Sequence, residues 1–263
     1  ACDGTVNVGP IEVTNTNDSE LDPVLAISGD RLLVAWTSDN GVGPNNLDIR
    51  TRVYDLDGNP LTDPTDVAGT RAGAPNPGNA LFPALAATAD GFLLAGSWGH
   101  DDAPAFQAFV APLDLDGNAV GDAIDGQLDP DHGQTYVAIA THDGTTQALW
   151  QEDAVGSDTL SLEGGLLGSA APIAAPAARA DVSHGPDGFW QAWDDDSGIV
   201  YAKPPQGAPT RISGPSFEHS PSVVATADGS MILSMELVGS ISNRIKLRRL
   251  DVNGDVTYEH SLQ

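Results

Sequence analysis

The 263-residue chain has one cysteine, two methionines, two lysines (Lys203 and Lys246) and only 6% aromatic residues. A lone thiol excludes an internal disulfide framework and any multi-cysteine zinc site. No apolar run approaches the roughly 18 residues needed to cross a bilayer as a helix. Basic residues are scarce: 11 Lys and Arg stand against 37 Asp and Glu, a formal net charge of −26. Such a balance removes the basic footprint that nucleic-acid binding needs, and it disfavours anionic membrane surfaces. There is no Gly-x-Ser-x-Gly elbow, no phosphate-binding Gly-Lys loop and no dinucleotide fingerprint. No segment carries a helical stripe. The Ala-rich run 165–180 is interrupted by Pro172 and Pro176, which break a helix interior.

What is abundant points to turns. The chain has 30 Asp, 29 Gly and 19 Pro, but only 7 Glu. Asp competes for nearby backbone N–H groups and so favours turns over helices. An Asp-rich, Lys-poor surface also suits saline surroundings, where screening weakens self-repulsion.

One unit recurs: a short apolar strand, a Gly turn, a second apolar strand, then Trp or Met followed by acid. The first copy is 23–27, Gly29, 32–36, ending on Trp36. Later copies end on Trp98, Trp150, Trp193 and Met235, with turn glycines at 91, 144, 188 and 229. Each continues into a third strand of period two, clearest at 47–54 and 245–250. Asp55-x-Asp57-Gly58-Asn59, Asp114-x-Asp116-Gly117-Asn118 and Asp251-x-Asn253-Gly254-Asp255 then predict a second turn and a fourth strand. These turns lack the length and terminal Glu of a calcium-binding EF-hand loop, and Asx-Gly between alternating strands signals a hairpin. Four antiparallel strands per 40–60 residues is the pattern of a propeller blade. The sequence therefore predicts an all-β fold, a single five-bladed β-propeller with four-stranded antiparallel blades. Residues 1–4 read as a tether and 5–263 as the propeller. The strand-like segment 5–14 is expected to close the ring by pairing with the last blade, removing two exposed edges. Two separate sandwiches are disfavoured, because no linker breaks the rhythm.

Candidate functional residues follow from this placement. The loops joining second to third strands, with those leading into each first strand, gather acid on one face. Asp22, Asp101, Asp102, His132, Asp194, Glu218 and His219 are the predicted ligand-binding set, converging on the channel mouth. Oxygen and nitrogen ligands of this kind suit a divalent cation, with Ca2+ the candidate and Asp101 and Asp102 its ligands, or a polyol. Trp36, Trp98, Trp150 and Trp193 read first as packing between blades, and secondly as stacking platforms. The residues also admit a solvated acidic rim with no ligand. Arg244, Lys246, Arg248 and Arg249 form a small basic island, and alternation puts Arg244, Lys246 and Arg248 on one strand face.

Two resemblances bear on function. Asp22-Pro23 opens the first unit and Glu218-His-Ser-Pro221 opens the last. In this the chain resembles five-bladed family-43-type glycosidases, which carry an Asp base before a first-blade strand and a Glu acid before a later strand starting with Pro. The resemblance implies an inverting hydrolase with Asp22 as base and Glu218 as acid, its carboxyls about 6.5–9.5 Å apart. The family's third acidic residue has no counterpart, since the third unit begins Gly133-Gln134-Thr135. Secondly, Ala1-Cys2-Asp3 resembles the processed end of a bacterial lipoprotein, with Cys2 carrying the lipid. Together with the blade units it resembles predicted surface propeller lipoproteins of marine gram-negative bacteria. That implies an exported, lipid-anchored monomer at the cell surface or in the periplasm. The expected function is a binding module for a carbohydrate, a divalent cation or a protein partner. Glycoside hydrolysis and a purely structural surface role are the alternatives.

Overall fold

The computed structural model describes residues 10–14, 18–39, 47–67, 79–99, 106–125, 132–154, 160–166, 169–174, 178–195, 197–238 and 242–262. Among them there are strands and turns and no helix. The strands form five four-stranded antiparallel sheets, each built from consecutive strands. The first holds β1 (Ser19–Ser28), β2 (Arg31–Asp39), β3 (Leu47–Asp55) and β4 (Thr65–Asp66). The second holds β5 (Ala80–Ala87), β6 (Phe92–Gly99), β7 (Phe106–Leu113) and β8 (Ile124–Asp125). The third holds β9 (His132–His142), β10 (Thr145–Ala154), β11 (Leu160–Leu166) and β12 (Ser169–Ala174); for β11 and β12 the description is of the backbone. The fourth holds β13 (Ala180–Gly185), β14 (Gly188–Asp194), β15 (Val200–Lys203) and β16 (Thr210–Arg211). The fifth holds β17 (Glu218–Thr226), β18 (Gly229–Val238), β19 (Ser242–Leu250) and β20 (Val256–Leu262). First strands pack in succession, β1 on β5, β5 on β9, β9 on β13 and β13 on β17. This is a β-propeller arrangement with the first strands innermost.

Packing between sheets explains the alternation in the sequence. Leu33, Ile49 and Val53 of the first sheet meet Phe92, Leu94, Trp98 and Phe109 of the second. Gly96 is required there, because a Cβ would lie 2.7 Å from the Ile49 side chain and 3.0 Å from Phe109. Val110 packs with Ile139 and Trp150 across the second and third sheets. Leu149 and Val182 enclose Trp193 between the third and fourth. Trp190, Val200, Ile232 and Leu250 fill the space between the fourth and fifth. Polar latches stitch the first strands together where no backbone ladder joins them. The Ser28 hydroxyl donates to Thr88 O at 2.7 Å, and the Thr141 hydroxyl donates to Ala87 O. Asp181 accepts from the Val223 amide at 2.8 Å and the Ser222 hydroxyl at 2.9 Å.

The Asx-Gly turns are hairpin turns. Asp55 Oδ1 accepts from the amides of Asp57 and Asn59, while Oδ2 accepts from the Asn59 side chain. Asp114 and Asp251 repeat the two amide bonds. Asp195, whose sequence signature is weaker, does the same for Ser197 and Ile199.

The series of sheets has two ends. β17 and β1 do not pack on each other as the other first strands do. Leu25 of β1 is 64% exposed and Val224 of β17 is 60% exposed; Met231, Leu233 and Ile245 of the fifth sheet are exposed as well. The fourth strand of that sheet, β20, comes from the C-terminal side and bonds to β19. Of the N-terminal segment expected there, residues 5–9 lie outside the described residues. Residues 10–14 contain no strand. They sit against the first sheet, where Val13 O accepts from Arg52 at 2.8 Å and the Thr14 hydroxyl donates to Glu20 at 3.2 Å.

Candidate functional site

Four of the five first strands carry the same irregularity. Asp22 (φ 50°), Phe82 (φ 54°), Tyr136 (φ 51°) and Ser220 (φ 51°) all have left-handed backbone. Each begins a two-residue bulge. Asp22 and Pro23 face the single residue Trp36; Phe82 and Pro83 face Gly96. Tyr136 and Val137 face Trp150; Ser220 and Pro221 face Ser234. A bulge re-aims the side chain at its apex, and bulges recur next to functional sites. Positive φ costs a non-glycine residue roughly 1–3 kcal/mol. Three of the four precede proline, which itself disfavours the helical region. The fold pays this cost at one level of the inner ring, and it is where chemically useful side chains gather.

Phe82 and Tyr136 meet there with ring centroids 4.3 Å apart and planes tilted by 34°. The Arg179 guanidinium carbon lies 5.5 Å from the Tyr136 ring centroid. Arg179 also donates to the Ser220 hydroxyl, which lies 3.0 Å from His219 Nδ1. Beneath them the Ser220 amide donates to Asp194 Oδ2 at 2.7 Å. A continuous arc thus runs from the second sheet to the fifth: two rings, a guanidinium, a hydroxyl and an imidazole. Asp194 is 3% exposed, and its Oδ1 has no hydrogen-bond partner among the described residues. Burial pushes its carboxyl above the ordinary range; the amides of Ser220 and Arg179 and the charges of Arg179 and His219 oppose that shift.

The predicted site residues divide. Asp194 and His219 are brought together, joined through Ser220. Asp22 is exposed at its own bulge. His132 is the first residue of β9, and its side chain lies outside the described residues, as do Asp101, Asp102 and Cys2. Glu218 is sequestered at 1% exposure. Arg248 grips it with two nitrogens at 2.5 and 2.7 Å, and the Ser234 hydroxyl donates at 2.7 Å. A carboxylate so occupied is a strut between β17, β18 and β19, and it has no free face for proton transfer to a ligand. Lys246 of the basic island pairs with Glu259 at 3.1 Å. Trp36, Trp98, Trp150 and Trp193 are all buried, so they fill the structure and present no stacking surface. Among the described residues no three His, Cys, Asp or Glu side chains gather to hold a metal ion.

Phe82, Tyr136, Arg179 and Ser220 escaped the sequence reading. The signal was an Xaa-Pro pair at the head of three units: Asp22-Pro23, Phe82-Pro83 and Ser220-Pro221. A cleft at the turn-bearing end of the fourth and fifth sheets is lined by Pro186, Asp187, Trp190, Pro205, Gln206 and Thr226, with no paired rings or guanidinium among them.

No protein-family model matches the chain, and no curated protein matches it. Solved structures do. A thermostable family-43 glycoside hydrolase is similar at TM-score 0.54 and 13% identity, over 96% of this chain and 95% of that one. Trypanosoma rangeli sialidase is similar at TM-score 0.56 and 10% identity, over 92% of this chain and 49% of the sialidase. The chain thus spans about half the length of the sialidase it resembles. At these identities the likeness is one of fold: the chain shares the β-propeller arrangement of these two proteins.

Proposed function

We propose that this protein is a glycan-binding module, a five-bladed propeller whose ligand sits at the mouth of the inner ring. The observation that carries the reading is the paired rings of Phe82 and Tyr136 beside Arg179, Ser220 and His219. Aromatic faces pack on the apolar faces of sugar rings, while a few placed donors fix hydroxyl orientation. The similar solved structures are a sialidase and a glycoside hydrolase, which supports a sugar as the ligand class.

Glycan-array binding followed by calorimetry tests the module. Tyr136→Ala and Phe82→Ala are expected to weaken binding at least tenfold with the fold intact. Unchanged affinity in both would refute the site. Glycoside hydrolysis is the second reading, favoured by the buried, easily protonated Asp194 next to this arc. Turnover of aryl glycosides that is lost in Asp194→Asn and Asp22→Asn would establish it.

A further inference from the structure

Resting on the glycan reading, we infer that the ligand carries an anionic group, a carboxylate or a sulfate, which Arg179 receives. The argument starts from how this chain uses its few cations. Most described arginines are neutralised by carboxylates. Arg50 pairs with Asp66, Arg249 with Asp228, and Arg248 with Glu218 and Glu259. Arg52 and Arg211 spend their donors on backbone carbonyls. Arg179 does neither. Among the described residues its guanidinium bonds only the Ser220 hydroxyl, its central carbon lies 5.5 Å from the Tyr136 ring centroid, and the residue is exposed. No carboxylate among the described residues lies within ion-pair distance of it.

In a chain of net charge −26 an unpaired, exposed guanidinium stands out, since acidic side chains that could neutralise it are abundant. Two contacts pre-orient it: the Tyr136 ring lies within cation–π range, and the Ser220 hydroxyl holds one nitrogen. Its remaining N–H groups form the planar fork that matches carboxylate and sulfate oxygens bidentately. Holding the guanidinium beside Tyr136 lowers the entropy lost when that fork engages a ligand. Asp194 beneath feels the charge of Arg179 but accepts from the Ser220 amide and makes no ion pair with the guanidinium among the described residues. The long-range field of the protein repels anions, so the local guanidinium makes the discrimination by position rather than by general attraction.

The test uses the full chain and three probes in calorimetry at 0.15 M salt: an oligouronate tetramer, its methyl-esterified neutral counterpart, and a sulfated tetrasaccharide. The expected result is at least tenfold tighter binding of an anionic probe than of the neutral one. Which anionic arm binds distinguishes carboxylate from sulfate. Arg179→Gln is expected to abolish that preference, so that within the variant the anionic probes bind no tighter than the neutral one. Arg179→Lys is expected to restore only part of it, because a point charge replaces the fork. Equal affinity for neutral and anionic probes, unchanged in Arg179→Gln, would overturn the inference and leave the glycan site standing. Absence of binding to every probe and to a neutral glycan array would remove the glycan reading itself, and this inference with it.

Discussion

Glu218 shows how residue type and residue role separate. Its sequence context places it at the head of the last unit, where a catalytic acid would stand. Its surroundings hold it as an ion-pair strut, with Arg248 at 1% exposure on the same network. Breaking such a pair leaves an uncompensated buried charge, typically 3–5 kcal/mol. Arg248 keeps Glu259 as a second partner, so Glu218→Gln is expected to lower the unfolding free energy by up to about 3 kcal/mol, seen as a lower denaturant midpoint, and glycan affinity measured below the transition should change little. A normal midpoint would show the strut is absent. Asp194 makes the opposite kind of prediction. Its folded-state pKa lies above the ordinary value of 3.8 because burial penalises the charged form. Its burial therefore favours the folded state most below that value, and this contribution is lost as pH rises through the raised one. Asp55, Asp228 and Glu259 are shifted the other way, so the test is the difference: stability measured by urea titration across that interval should have a more negative dependence on pH in the wild type than in Asp194→Asn. The slope that remains belongs partly to Asp181, whose carboxyl burial also raises. Identical slopes in both proteins would mean Asp194 is solvated.

The four bulges carry the argument among the strands. Asp22 is the exposed member, so its backbone can be tested with little packing change. Asp22→Gly should be tolerated or stabilising by up to about 1 kcal/mol, while Asp22→Val should cost roughly 1–2 kcal/mol, because a branched Cβ resists positive φ. Equal melting temperatures for the two variants would show that the strand relaxes to ordinary geometry. The strand pairs themselves were legible from period-two alternation, and the Asx-Gly hairpins from turn chemistry, since both depend on neighbours in sequence. The arc at the channel mouth was not. Phe82, Tyr136, Arg179 and Ser220 are far apart in the chain; bulges at one level of different first strands re-aim Phe82, Tyr136 and Ser220, and Arg179 joins them from the residue just before β13. Nor could alternation distinguish Glu218 as strut from Glu218 as acid. That depends on Arg248, thirty residues away and two strands over.

Across the molecule, the sparse packing of β17 on β1 among the described residues has a consequence for cooperativity. A closed ring gives every sheet an equally packed neighbour on both sides. Among the described residues the first and fifth sheets are closely packed on one side only, so these sheets are expected to behave as a linear stack with weakly joined ends, of the kind described by nearest-neighbour coupling. Opening should begin at the termini of the stack and spread inward, producing a gradient of local unfolding energies rather than one global value. Amide hydrogen exchange is expected to show β6 and β10 protected longest, with β2 and β18 released earlier although their ladders are as long. Uniform protection across all five second strands would indicate that the two ends are joined in solution. A ligand seated on the arc touches sheets two to five, so its binding should raise protection in the fifth sheet more than in the first.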